Sequence, residues 1–252
     1  MSSTDNLMET TQGGCVAGAR HALQGFSLIS KPGIRGFVVI PLVINIVLFA
    51  GAIFGVSSLL DTAIERYLDS WPEWIQWVVW LLFAVLAAIT VFFTFTLIAN
   101  IVASPFNGML AEAVERHLSD DLTEVPFSMK RMLADFRRTI VAELRKLLYI
   151  ALRALPLLVL SIIPGLNVGA PLLWLLFGAW MLCLEYLDCP LGNHSAFFPA
   201  VIEEMRARRR LALGFGGVMT VMTMIPVLNF LAMPVGVAGA TSLYCARIHS
   251  NT

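Results

Sequence analysis

Uncharged stretches and short charged ones alternate along this chain, and their spacing sets the first expectations about its fold. Residues 36–60, 74–111, 154–184 and 211–246 carry no Asp, Glu, Lys or Arg. An apolar run of about 18 residues or more can cross the hydrocarbon core of a bilayer as a helix. The first two runs qualify. Neither has an internal break strong enough to split it, and Pro41 lies only in the first turns of the first. They predict two spanning helices, 36–60 and 74–103.

The other two runs are interrupted in matching ways. "IPGLNVGAP" at 163–171 and "IPVLNFLAMP" at 225–234 share Ile-Pro-x-Leu-Asn followed by a second proline, a weak internal repeat. Proline removes a backbone donor, glycine adds freedom and asparagine suits a turn. Pro164, Gly165, Asn167, Pro226 and Asn229 are therefore expected at hairpin tips. The arms on either side, 154–163, 171–184, 211–225 and 234–246, would each be on the order of 15 to 22 Å long as helices. None alone crosses a core of about 30 Å.

Lysine and arginine collect in short cytoplasmic loops, so their positions decide the topology. The loop 61–73 sets Arg66 against Asp61, Glu65, Asp69 and Glu73 and is expected outside. Arg20, Lys31 and Arg35, the basic residues from Arg116 to Arg153, and the cluster Arg206, Arg208, Arg209 and Arg210 are expected inside. A single crossing by 154–184 would carry that last cluster outside, whereas a hairpin that enters and returns keeps it inside.

The expectation is an all-α integral membrane protein with two full transmembrane helices and two re-entrant half-membrane helical hairpins, 154–184 and 211–246. A cytoplasmic helical portion, 104–153, joins them. The whole of 1–252 forms one membrane domain with both termini cytoplasmic. Residues 1–30 form an N-terminal cytoplasmic or interfacial segment, in which 16–30 read as a helix on the membrane surface. The first strongly apolar segment is too long for a signal core, so it is expected to stay as an anchor. Irregular backbone at the tips is tolerable in a membrane only against protein or a wet cavity. That predicts a homo-oligomer, a dimer or higher.

Composition agrees: the 252 residues are 58% hydrophobic and 13% charged. Seventeen basic residues balance 17 acidic ones, leaving no field for a nucleic acid partner. In 129–152, Met132, Leu133, Phe136, Ile140, Leu144, Leu147 and Leu148 recur at spacings of three and four, an apolar stripe opposite a basic face. That helix is expected to pack on the membrane or the bundle, and the "RARRR" run to contact anionic lipid. The four cysteines fit neither a zinc pattern nor a disulfide framework, and Cys183 and Cys245 read as small buried apolar residues. Met219, Met222 and Met224 read as adaptable packing. His117 with Asp121, and Asp188, His194 and Ser195, offer catalytic residue types without a nucleophile elbow, an HExxH motif or a phosphate loop. They read as a solvated face. No enzyme activity, metal or cofactor is expected.

The stretch "SKPGIRGFVV" at 30–39 holds the most specific chemistry. Pro32 suits a first helical turn, which would leave the N–H groups of Gly33, Ile34 and Arg35 without intrahelical partners. Glycine lets a ligand approach the backbone, the helix dipole adds positive potential, and Arg35 and Lys31 add cations. Together these describe a seat for a tetrahedral oxyanion. The plainer reading is that Lys31 and Arg35 anchor the span among headgroups.

"KPGIRGFVVIPLVIN" at 31–45, "IANIVASPFNGMLAEAVE" at 98–115, "AWMLCLEYLDCPLGNH" at 179–194 and "TMIPVLNFLAMPVGVAGAT" at 223–241 together resemble the bacterial CysZ family of sulfate transporters. The resemblance runs in order over nearly the whole chain. It implies a channel-like path that admits sulfate through the inner membrane to the cytoplasm, without ATP hydrolysis, for assimilation into cysteine. It also implies half-membrane hairpins, an oligomer, and a sulfate site at Gly33, Ile34 and Arg35. Many members of that family have a second arginine where this chain has Gly36, so Lys31 becomes a compensating candidate. Polar groups are costly inside a membrane, so Asn45, Asn100, Asn107 and the i,i+4 pair Glu112–Arg116 are candidates for the permeation path and its gate. The plainer reading makes them interhelical glue. A different function class, a structural scaffold that shapes or tethers membrane, stays open at this point.

Overall fold

The computed structural model describes residues 14–67, 71–119 and 129–248. Among these the regular structure is helical, with no strand. The helices are α1 (Cys15–Ile29), α2 (Gly36–Tyr67), α3 (Glu73–Leu118), α4 (Met129–Ile162), α5 (Ala170–Asn193), α6 (Ala200–Ala207), α7 (Arg209–Met224) and α8 (Pro226–Ile248), with a 3-10 turn at Asn167–Gly169 before α5. Four segments are long and apolar enough to cross a membrane: Gly36–Leu59, Glu73–Thr90, Asn167–Asn193 and Pro226–Ala246. The last two exceed the arms expected from charge-free stretches. α5 runs on through Glu185 and Asp188, and α8 takes Pro234 into its interior.

The chain divides into two compact units, Gly36–Phe106 and the remainder. The first holds α2 and most of α3. Its apolar side chains are turned outward: no described side chain of Gly36–Leu59 or Glu73–Thr90 is buried, and Val47, Phe54, Trp77 and Leu82 are exposed. Each would lose about 1.5–3 kcal/mol on facing water instead of an apolar medium, so these helices need lipid or protein around them. A helix boundary was expected near residue 103. Instead α3 runs through Ser104, Pro105 and Phe106 to Leu118, a prolyl interruption that membrane helices tolerate.

The second unit has the packed interior. Leu110, Val114, Leu184, Met205, Phe215, Met219, Val235 and Leu243 are almost wholly buried, and so are Cys183 and Cys245. α1, expected on the membrane surface, packs into this unit against α7 and α8 through Gly18, Ala22, Gly25 and Leu28. Small residues at this spacing let helix backbones approach closely. A Cβ on Gly18 would overlap the Leu211 carbonyl, and one on Gly25 the Val235 carbonyl. His21 and Gln24 of α1 both bond the Ser242 hydroxyl of α8, at 3.0 Å each.

On either side of each break the helices pair antiparallel, α4 with α5 and α7 with α8. In α4 and α5, Trp174 Nε1 donates to Ser161 Oγ (3.0 Å), Trp180 Nε1 to Tyr149 Oη (3.0 Å) and Lys146 Nζ to Asp188 Oδ2 (2.8 Å). One partner's number rises as the other's falls, which is the register of a reversal. In α7 and α8 the Phe215 ring reaches Gly239, the two lying about three to four turns on either side of Ile225. Met219 and Met222 pack inside this hairpin, while Met224 is exposed at its tip.

Candidate functional site

The Lys31–Arg35 segment is a turn that ends where α2 begins. The amides of Ile34 and Arg35 both donate to the Lys31 carbonyl, at 3.1 Å each, and Lys31 N–H closes on Leu28 O at 3.0 Å. Helix formation was expected to start at Pro32 and leave three amides free. The helix starts at Gly36, and two of those amides are used inside the turn. Gly33 makes this possible: its φ is +88°, a conformation costing most residues about 1–2 kcal/mol. Nothing lies within 4 Å of where a Gly33 Cβ would sit, so the backbone there is open to a ligand.

Side-chain directions divide the motif. Ile34 is 2% exposed, while Lys31, Gly33 and Arg35 are exposed. Among the described residues neither Lys31 nor Arg35 is ion-paired. The turn therefore offers one guanidinium, one ammonium and the Gly33 amide on an open face, and Gly36 is half-buried beside them.

Among the described residues no hydrogen bond or ion pair links Asn107, Glu112 or Arg116 to this turn. Glu112 and Arg116 form the expected pair at 3.2 Å on α3, with side chains 22% and 55% exposed. Asn107 is half-buried on the same helix. Asn45 falls in α2 and Asn100 in α3, and their side chains lie outside the described residues, as does Asp121. At the first tip Gly165 has φ +88° and the Asn167 amide donates to Ile163 O (3.1 Å); at the second Pro226 opens α8 and the Asn229 amide donates to Ile225 O (2.9 Å). Pro164, Gly165, Asn167, Pro226 and Asn229 are all exposed.

Two polar clusters went unread in the sequence. Lys146, with an 8% exposed side chain, contacts Glu143 (3.0 Å), Glu185 (3.3 Å) and Asp188 (2.8 Å). Burial works against its ammonium, yet Asp188 and Glu185 outweigh burial and hold its pKa above the ordinary lysine value. His194 Nε2 lies 2.7 Å from Glu115 Oε1, and Asn193 Nδ2 donates to Gly108 O at 2.9 Å. Asp188 and His194 are thus interhelical ties, not parts of a solvated face. Their signal was that Glu115, Glu185 and Asp188 stand just past the ends of apolar runs, where a charge calls for a partner. The predicted apolar stripe of α4 is also turned outward, with Ile140, Leu144, Leu147 and Leu148 exposed.

A family model described as Sulfate transporter CysZ/Etoposide-induced protein 2.4 matches residues 21–234. Among curated proteins, a sulfate transporter CysZ from Pseudomonas fluorescens strain Pf-5 is 45% identical over 229 residues, covering 90% of this chain and 92% of its own length. The one from Pseudomonas aeruginosa is 42% identical, covering 90% and 93%. That from Pectobacterium atrosepticum is 39% identical over 235 residues, covering 92% and 85%.

Proposed function

This chain belongs to the sulfate transporter CysZ/etoposide-induced protein 2.4 family, and from that premise we propose that it carries sulfate into the cytoplasm across the bacterial inner membrane. The sulfate feeds assimilation and cysteine biosynthesis, and the path is channel-like, without ATP hydrolysis. The observation that carries this reading is coverage: the matched residues take in the Lys31–Arg35 turn and both hairpin tips.

Recognition falls to the turn. Stripping water from a dianion costs many kcal/mol unless donors replace it. Arg35 supplies a forked, always-charged donor, Lys31 a point charge and Gly33 a bare amide. A conducting site must also release its ion, and two exposed cations suit that better than a closed cage. Asn107 and the Glu112–Arg116 pair belong to the path, with Asn45 and Asn100 assigned to it by sequence.

Within one membrane domain, α2 and α3 span, and the two hairpins enter from the cytoplasmic side and return. The exposed tips support this: Ile162, Val168, Val227 and Phe230 are each more than three-quarters exposed, which suits hydrocarbon or a neighbouring protomer. Trp71, Trp74, Trp77 and Trp80 are exposed around the start of α3, the pattern of an interfacial aromatic belt. Both termini are cytoplasmic, and the protein acts as a homo-oligomer surrounded by lipid.

Purified protein in liposomes should take up labelled sulfate above empty vesicles. Arg35→Ala should bring that flux to the background rate while leaving a folded, inserted protein, because Arg35 is exposed. Retained uptake in that variant removes the turn from the mechanism. Absence of flux in the wild type favours a membrane scaffold.

A further inference from the structure

Besides the Lys31–Arg35 turn, a place in the second unit gathers cations that are in no ion pair among the described residues. Arg153 of α4, Arg206 of α6 and Arg209 at the start of α7 line a cavity of about 470 Å³ whose remaining walls are Leu176, Phe177, Trp180 and Leu213. Among the described residues none of these three arginines is in an ion pair. Three like charges converging on one space repel each other, and an arrangement of that kind is stabilised by an anion between them.

Arg153 is also held in place. The Arg153 guanidinium lies over the Tyr149 ring, 4.7 Å from its centroid. Tyr149 is fixed in turn by the Trp180 Nε1 bond to its hydroxyl and by the edge of Phe198, 5.6 Å between centroids. Arg209 opens a 16-residue helix with no side-chain cap, so the positive end of that helix adds to the potential.

The arginines suit an oxyanion; the apolar walls decide which kind. A free sulfate or phosphate needs donors on all sides, whereas four of the seven lining residues offer none. Between this cavity and the first tip, Leu155 and Leu158 of α4 and Leu172 of α5 are exposed, continuing the apolar wall. Nine residues separate Arg153 from Ile162 on α4, about 14 Å of helix. That is close to one leaflet of a hydrocarbon core about 30 Å thick.

We propose that the cleft between α4, α5 and α7 binds an anionic phospholipid, with its phosphate on Arg153, Arg206 and Arg209 and an acyl chain along the leucines toward the first hairpin tip. The site sets the hairpin's depth: the headgroup fixes the arginines at the interface, and the tip falls near mid-membrane. This rests on the membrane reading and not on the identity of the transported solute.

The test uses the full-length protein in nanodiscs of phosphatidylcholine, with and without phosphatidylglycerol, reading bound lipid by native mass spectrometry and Tm. Wild type should retain phosphatidylglycerol and gain Tm from it. R153Q/R206Q/R209Q should bind it about a hundredfold more weakly, a factor of about five per arginine, with sulfate flux still measurable. Unchanged retention in the variant overturns the proposal. So does a Tm gain from inorganic sulfate with none from phosphatidylglycerol, which would make this a free-oxyanion site. Should the triple variant not fold, R209Q alone should show the about fivefold loss, and its absence counts equally against the site.

Discussion

Two hairpins built on the same break motif, Ile-Pro-x-Leu-Asn, end up in different surroundings. The α4–α5 hairpin is joined by polar ties between a largely exposed α4 and α5: Trp174 to Ser161, Trp180 to Tyr149, Lys146 to Asp188. Its outer faces are leucine. The α7–α8 hairpin is held by contact between backbones, with Gly18 and Gly25 of α1 seated on its Leu211 and Val235 carbonyls and Gly216 on Ala179 of α5. Its break is a single extended residue, Ile225, whereas the first takes a positive-φ glycine and a 3-10 turn. The motif therefore specifies a reversal, and the neighbours decide what holds it. Where three helices can be brought together, small residues suffice; where two lie side by side, hydrogen bonds and ion pairs fix the register.

That contrast is sharpest in what each hairpin cannot lose. Gly25→Leu should have the largest effect, because its new side chain meets the Val235 backbone, which cannot rotate away. The expected cost exceeds about 4 kcal/mol, read as loss of the monodisperse peak in fluorescence-detected size exclusion. A variant that elutes like wild type would mean that α1 does not seat on α8.

Lys146→Met comes next. It removes the cation from three carboxylates, and Asp188, 22% exposed, keeps only partial access to solvent. Breaking such a tie should cost about 2 kcal/mol, less than a fully buried pair because Glu143 and Glu185 are near half exposed. It should lower Tm without abolishing sulfate flux. With the lysine pKa raised, its contribution holds at neutral pH and is lost only as pH rises through that raised value. The Tm difference from wild type should therefore narrow in strong alkali. A difference that grows there would contradict the ion-pair account.

How much of this could be read beforehand follows from the range of each interaction. The breaks were legible because proline and glycine act locally, and at each of them the chain reverses. The burial of α1 was not: Gly18, Ala22 and Gly25 contribute no hydrophobic signal, and their value appears only beside another backbone. The pairs of Lys146 with Asp188 and of Glu115 with His194 depend on helix register, which spacing along one helix does not reveal. In the Lys31–Arg35 turn the residue types were readable and the hydrogen bonding was not. A start at Pro32 and a start at Gly36 differ only in whether Gly33 adopts positive φ, and glycine permits both.

The smallest effect distinguishes the tips themselves. Gly165→Ala places a Cβ on a residue at φ +88°, with no neighbour within 4 Å to clash with. The cost is therefore purely conformational, about 1–2 kcal/mol, a fall in Tm of a few degrees. At the second tip Ile225 has φ −94° and ψ 111°, a region open to any L-residue, so Ile225→Ala should lose only an exposed side chain and change Tm less. If the two variants fell equally, the tips would be governed by the hydrophobic surface they present and not by backbone conformation. The first hairpin would then resemble the second in what limits it, and the contrast between them would reduce to their flanks.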